Sequence, residues 1–79
     1  MKNLLNLKIG QYEKIGGLAK DAPIKIKRRL LDLGFTKGQK IRVVRKSTLG
    51  KDFLIELRFF TLTLRRDILK YILVQEDFV

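Results

Sequence analysis

The chain contains no cysteine and no histidine. Without cysteine there is no disulfide, no thiolate metal site and no cysteine nucleophile. Without histidine, the commonest general base and the commonest transition-metal ligand are both missing. An iron or zinc ion would have to be held by carboxylates alone, which suit harder cations better. No catalytic constellation, cofactor or metal site is therefore expected, and the chain does not read as an enzyme. Acidic residues are also scarce: eight Asp and Glu stand against 18 Lys and Arg, a formal charge of +10. Such an excess attracts nucleic acid, an anionic membrane surface or an acidic protein. No apolar run approaches the ~20 residues that a membrane-spanning helix needs. The opening MKNLLNLKIG has no long apolar segment and no small-residue cleavage site, so a cytoplasmic protein is the expectation.

What is present suits one small domain over residues 1–79, with 46% hydrophobic residues to supply a core. Leu5, Leu7 and Ile9 alternate with polar neighbours and predict a half-buried strand. A second extended segment over 11–18 ends at the Gly16-Gly17 pair, which marks a turn or a bulge. Asp21-Ala22-Pro23 reads as a helix start, with Asp21 accepting from free amides and Pro23 placed where a missing N–H is harmless. The helix is expected over about 22–33. Its stripe is Ile26, Leu30 and Leu33, widened by Leu31, and it closes on Gly34. Gly38 permits the turn that follows.

Ile41, Val43 and Arg45 then alternate with Arg42, Val44 and Lys46 as a strand, and 47–52 with Gly50 forms a hairpin loop. Residues 53–58 return as a strand with Phe53, Ile55 and Leu57 on one face. Residues 59–64 continue extended with Phe60, Leu62 and Leu64 on one face, and a turn must fall near Arg58-Phe59. A short helix or turn over 65–71 and a closing strand over 72–75 complete the pattern, and 76–79 are expected to fray. Many short strands, one inserted helix and connections too short for parallel crossovers predict a mainly β, SH3-like small barrel.

RRLLDLGF, then TKGQKIRVVRK, then Leu49-Gly50, then TLTLRRDI resemble the FeoA family, small SH3-like proteins of bacterial ferrous iron uptake. The residues in register are Arg29, Leu30, Asp32, Gly34, Gly38, Leu49, Gly50, Leu62, Thr63, Leu64 and Arg65. Departures occur at Thr48, at Lys51-Asp52, at Phe59 and at Leu69, and bear on loop shape and surface contacts. The resemblance implies a non-enzymatic accessory of the FeoB-type membrane permease, docking on its cytoplasmic GTP-binding region. The same fold closes metal-dependent repressors, but here no DNA-binding helices precede it, so the free-standing form is the expectation.

Candidate partner-binding residues follow from charge and exposure. Lys25, Arg28 and Arg29, with Lys27, make a basic helix face that docks an acidic partner or phospholipid head groups, or is simply solvated. Leu49 and Gly50 form a loop tip. Phe53, Phe59 and Phe60 flank Arg58 and could stack single-stranded nucleic acid. The preferred reading places Phe53 and Phe60 in the core and leaves Phe59 exposed for a protein contact. Arg29 and Asp32 are spaced for an exposed ion pair worth only ~0.3–0.5 kcal/mol. Arg65 is expected to hold the last helix against the barrel. Asp52, Glu56 and Asp67 have no spacing that would gather them around a metal. A nucleic-acid-binding barrel is the alternative function, and a homodimer through open strand edges is compatible with the pattern.

Overall fold

The computed structural model describes residues 2–75, so the expectation for 76–79 lies outside the described residues. Six strands form one antiparallel sheet: β1 (Lys2–Asn3), β2 (Tyr12–Leu18), β3 (Lys40–Lys46), β4 (Asp52–Glu56), β5 (Thr61–Arg65) and β6 (Ile72–Gln75). The order across the sheet is β1-β6-β2-β3-β4-β5. Helix α1 (Ile24–Asp32) is inserted between β2 and β3, and the single-turn α2 (Arg66–Leu69) between β5 and β6. This is the expected mainly β, SH3-like architecture.

The core follows from strand alternation. Ile41 and Val43 on β3, Phe53 and Ile55 on β4, and Ile72 and Val74 on β6 all turn inward and are buried. Two bulges adjust that alternation. In β3 the register slips between Val43 and Arg45, so Val43 still faces Ile55 while Arg45 lies opposite Leu54, on the other face. Strict alternation would have sent Arg45 inward with Val43, and the extra residue spares the core an unpaired guanidinium. In β2 the slip between Ile15 and Gly17 resolves the Gly16-Gly17 pair as a bulge, with Gly17 at φ +128°.

Helix α1 stops where Gly34 predicts, in a fully hydrogen-bonded C-terminal motif. The Gly34 N–H donates to the Leu31 carbonyl and the Phe35 N–H to the Leu30 carbonyl, each at 3.0 Å. Gly34 sits at φ +102°, which glycine adopts without the Cβ penalty of other residues. The pattern brings Phe35 under Leu30, and both are buried. The helix start differs from expectation. Pro23 is the N-cap residue and no side chain caps the free amides. Asp21 is two residues too early for an oxygen to reach the first turn. Leu31 is half exposed at 50%, because the helix touches the core along Ile26, Leu30 and Leu33 and turns Leu31 away.

Two further expectations are corrected. Leu5, Leu7 and Ile9 do not form a strand. Leu4–Asn6 is a single 3-10 turn held by a reciprocal pair, the Asn3 side chain accepting from the Leu5 N–H and Asn6 from the Asn3 N–H. Local side-chain bonds have overridden a five-residue alternation. Phe60 is not core. The β4–β5 turn closes with the Leu57 N–H donating to the Phe60 carbonyl at 2.9 Å, so the chain reverses before Phe60 can join the inward row. Phe60 is 44% exposed and Phe59 84%.

Candidate docking surfaces

The cations fall into groups that differ in whether they have partners. On the β2–β3–β4 surface, Arg42 and Glu56 are direct cross-strand neighbours, and Tyr12 pairs with Arg42 from the other side. Arg42 Nη2 donates to both Glu56 carboxylate oxygens, at 2.7 and 3.0 Å, and the Tyr12 hydroxyl donates to Glu56 Oε1 at 3.2 Å. The Arg42 guanidinium and the Lys40 ammonium each lie 4.8 Å from the centre of the Tyr12 ring. Beside this network is a depression of about 370 Å³ that Tyr12, Lys40, Leu57 and Arg58 help to line. The Arg42 charge here is neutralised within the sheet by Glu56.

The α1–β5 side is different. Arg29 on α1 and Arg65 at the end of β5 stand on the rim of a groove of about 220 Å³. Its walls are apolar: Ile26, Leu30 and Leu33 from the helix, Leu64 from the strand, and Ile68 from α2. Neither arginine makes a side-chain hydrogen bond or an ion pair among the described residues, where Arg42–Glu56 is the one salt bridge. The expected Arg29–Asp32 pair does not form, and Arg65 makes no side-chain bond to α2. Long side-chain rotamers at exposed helix positions gain too little from such a pair to be fixed by it. Five residues of the sequence motif, Arg29, Leu30, Thr63, Leu64 and Arg65, thus converge on one groove although more than 30 positions separate the two groups.

The remaining candidates are scattered. Lys25 and Arg28 are exposed on α1, four and one residues before Arg29. Lys27 is tied down, its ammonium donating to the Lys20 carbonyl at 3.1 Å. Leu49, 79% exposed, and Gly50 form the tip of the β3–β4 loop. That loop closes on Ser47, whose hydroxyl accepts from the Lys51 and Asp52 N–H groups. Phe59 stands at the opposite end of β4, with the Arg58 guanidinium 4.9 Å from its ring. Sequence reasoning missed the Tyr12–Arg42–Glu56 network. Its signal was a tyrosine, an arginine and a glutamate on three strands, which becomes readable only once the register is known.

Among the described residues no three carboxylates come together as a metal site, and no helix is long and apolar enough to cross a membrane.

Comparison with known proteins bears on all of this. The profile of the FeoA domain matches residues 2–76. A FeoA protein from Chlorobium tepidum superposes with a TM-score of 0.83 at 33% identity, covering 92% of this chain and 68% of that one. The FeoA of Stenotrophomonas maltophilia, crystallised with zinc, gives 0.83 at 27% identity over 95% and 91% of the two chains. It is described as a prokaryotic SH3-domain protein and a candidate activating factor for bacterial ferrous iron transport. A manganese-dependent transcriptional repressor shares the fold, with a TM-score of 0.81 at 16% identity over 92% of this chain and 40% of that one. No curated protein sequence matches significantly.

Proposed function

Since the chain belongs to the FeoA domain family, we propose that it is a non-enzymatic accessory protein of bacterial ferrous iron uptake. It works in the cytoplasm, as a single domain that docks on the GTP-binding region of a FeoB-type permease. The observation that carries this reading is the family match across residues 2–76, nearly the whole chain. The surface is compatible with it. The fold offers open strand edges, unpaired cations beside an apolar groove and exposed aromatic residues, which are attributes of a docking module. Iron in this reading is the cargo of the permease and is not held by this chain, whose carboxylates do not converge among the described residues.

Titration of the full chain into the purified cytoplasmic region of the permease tests the proposal. Saturable binding is expected, together with reduced ferrous iron uptake in a strain lacking the protein. No binding, with normal uptake in that strain, would overturn it. Retention on single- or double-stranded oligonucleotides, lost steeply between about 50 and 200 mM salt, would instead favour the nucleic-acid alternative.

A further inference from the structure

We propose that the groove between α1 and β5 takes an extended, acidic segment of a partner protein, which adds to the edge of β5 as a seventh strand. This deepens the docking reading above by assigning it a surface and a chemistry.

The backbone carries the first part. β5 ends the sheet and pairs only with β4. Antiparallel pairs alternate between hydrogen-bonded and non-bonded positions. The Leu57 N–H to Phe60 carbonyl bond and the Arg66 N–H to Lys51 carbonyl bond fix that phase at both ends of the hairpin. With Glu56 opposite Thr61, Leu54 opposite Thr63 and Asp52 opposite Arg65, these three β5 residues hold the non-bonded positions. Their N–H and C=O groups point outward from the sheet. Among the described residues the outward groups of Thr61 and Thr63 and the Arg65 N–H have no backbone partner, while the Arg65 carbonyl, at the N-cap of α2, is taken by the first turn of that helix.

The groove lies along that same edge. Thr63, Leu64 and Arg65 all line it. Successive side chains on a strand point to opposite faces, so a groove on a face would meet alternate residues only. Three in a row mean that the strand presents its edge. Natural edges are usually blunted by proline, a bulge, an inward charge or shortness. The other edge strand, β1, is two residues long. β5 has five residues, no proline and no bulge.

The occupant's chemistry follows from the walls. At about 220 Å³ the groove is smaller than the ~300–1,000 Å³ usual for a small-molecule site, and it suits one or two apolar side chains descending from a strand across its mouth. Neither rim arginine forms an ion pair among the described residues, although Asp52 lies opposite Arg65 on β4, and guanidinium groups favour planar carboxylate partners. The segment therefore alternates apolar and acidic residues over about five positions, roughly 16 Å at ~3.3 Å per residue. A second copy of this chain is the wrong partner for the seam. It would set a +10 protein against another, with arginines on both sides.

The test uses the full isotope-labelled chain and a short capped peptide of alternating glutamate and valine, with a lysine–valine peptide as control. The acidic peptide is expected to shift the amides of Thr61–Arg65 and the Ile26–Leu33 wall, and the lysine peptide to leave them unchanged. Thr63→Pro removes one outward N–H while sparing the β4 ladder, and is expected to abolish binding with the melting temperature kept. Arg29→Glu with Arg65→Glu, both exposed, is expected to weaken binding by about tenfold or more. Equal binding by wild type and the double variant, or shifts centred on Tyr12 or on Phe59, would overturn the proposal. So would stronger perturbation of the same amides by a single-stranded oligonucleotide or by phosphatidylserine vesicles. The two readings separate cleanly. A permease region that binds wild type and both variants equally sinks the groove and leaves the docking function. A groove that takes the acidic peptide while the permease region does not bind sinks the docking function and leaves the groove.

Discussion

Arg42 and Arg65 are both strand arginines on one sheet, yet they live in opposite circumstances. Arg42 sits on a central strand, half-buried, with both Glu56 oxygens within hydrogen-bonding distance and the Tyr12 ring beneath it. Arg65 sits on an edge strand, exposed, above apolar side chains, and forms no ion pair among the described residues, even with Asp52 opposite it on β4. The chain has eight acidic residues to distribute among 18 cations. It has placed one where a guanidinium is held between three strands and none in the lining of the α1–β5 groove. A cation whose partner is internal contributes to structure. A cation without one beside apolar surface is open to a partner from outside. Net charge alone cannot make that distinction.

The most disruptive way to break the contrast is to remove the wall on which the unpaired side depends. Phe35 is buried beneath Leu30 and fixes the end of α1 to the core. Phe35→Ala is expected to cost about 3–5 kcal/mol. For a domain of this size that lowers the melting temperature by at least ~12 °C, as a thermal melt would show. Gly34→Ala acts on the same joint with less force. A Cβ there would meet only Leu57 Cδ1, at 4.0 Å, so space is not the obstacle. The obstacle is the φ of +102°, and a loss of about 1–2 kcal/mol is expected from backbone strain. A denaturant midpoint shift with an unchanged slope would confirm it.

Glu56→Gln tests the partnered side. It removes the charge that holds Arg42 while keeping an oxygen for the Tyr12 hydroxyl. Both side chains of the pair retain 25–30% of their accessibility, so water screens the interaction, and a loss of about 1 kcal/mol is expected. A double-mutant cycle with Arg42→Ala measures the coupling. A coupling indistinguishable from zero would show that Arg42 is as free as Arg65 and would dissolve the comparison.

How far the sequence could be read follows the same division between local and long-range effects. The end of α1 was legible because Gly34 and the Ile26–Leu30–Leu33 stripe act within a few residues. The closing strand over Ile72–Gln75 was legible because a short apolar run rich in β-branched residues met no competing signal. The Leu5–Ile9 segment misled because alternation is silent about Asn3 and Asn6, whose side chains bond the backbone into a turn. Phe60 misled because the phase of a strand after a turn depends on where the turn closes, and no glycine marked Leu57 to Phe60. The groove was legible only in pieces. Arg29-Leu30 and Leu64-Arg65 stood out as motifs, but nothing local says that α1 lies along the edge of β5. That placement comes from the antiparallel order, in which β5 is left at the end of the sheet.

The smallest expected effect on stability is also the most informative about function. Arg29→Glu with Arg65→Glu reverses two of the chain's 18 cationic side chains and removes no hydrogen bond or ion pair found among the described residues. Exposed substitutions of this kind usually change stability by no more than ~0.5 kcal/mol each. Here relief of repulsion in a +10 chain opposes the new like-charge contact with Asp52 across β4–β5 and any loss of stem packing over the groove. The melting temperature is therefore expected to stay within a few degrees of wild type, while Glu56→Gln lowers it. Equal or larger destabilisation by the double arginine change would mean that these side chains brace α1 against β5, a structural duty that their lack of partners does not reveal. Unchanged stability joined to lost binding of an acidic segment would separate the two kinds of arginine by their consequences as well as their surroundings.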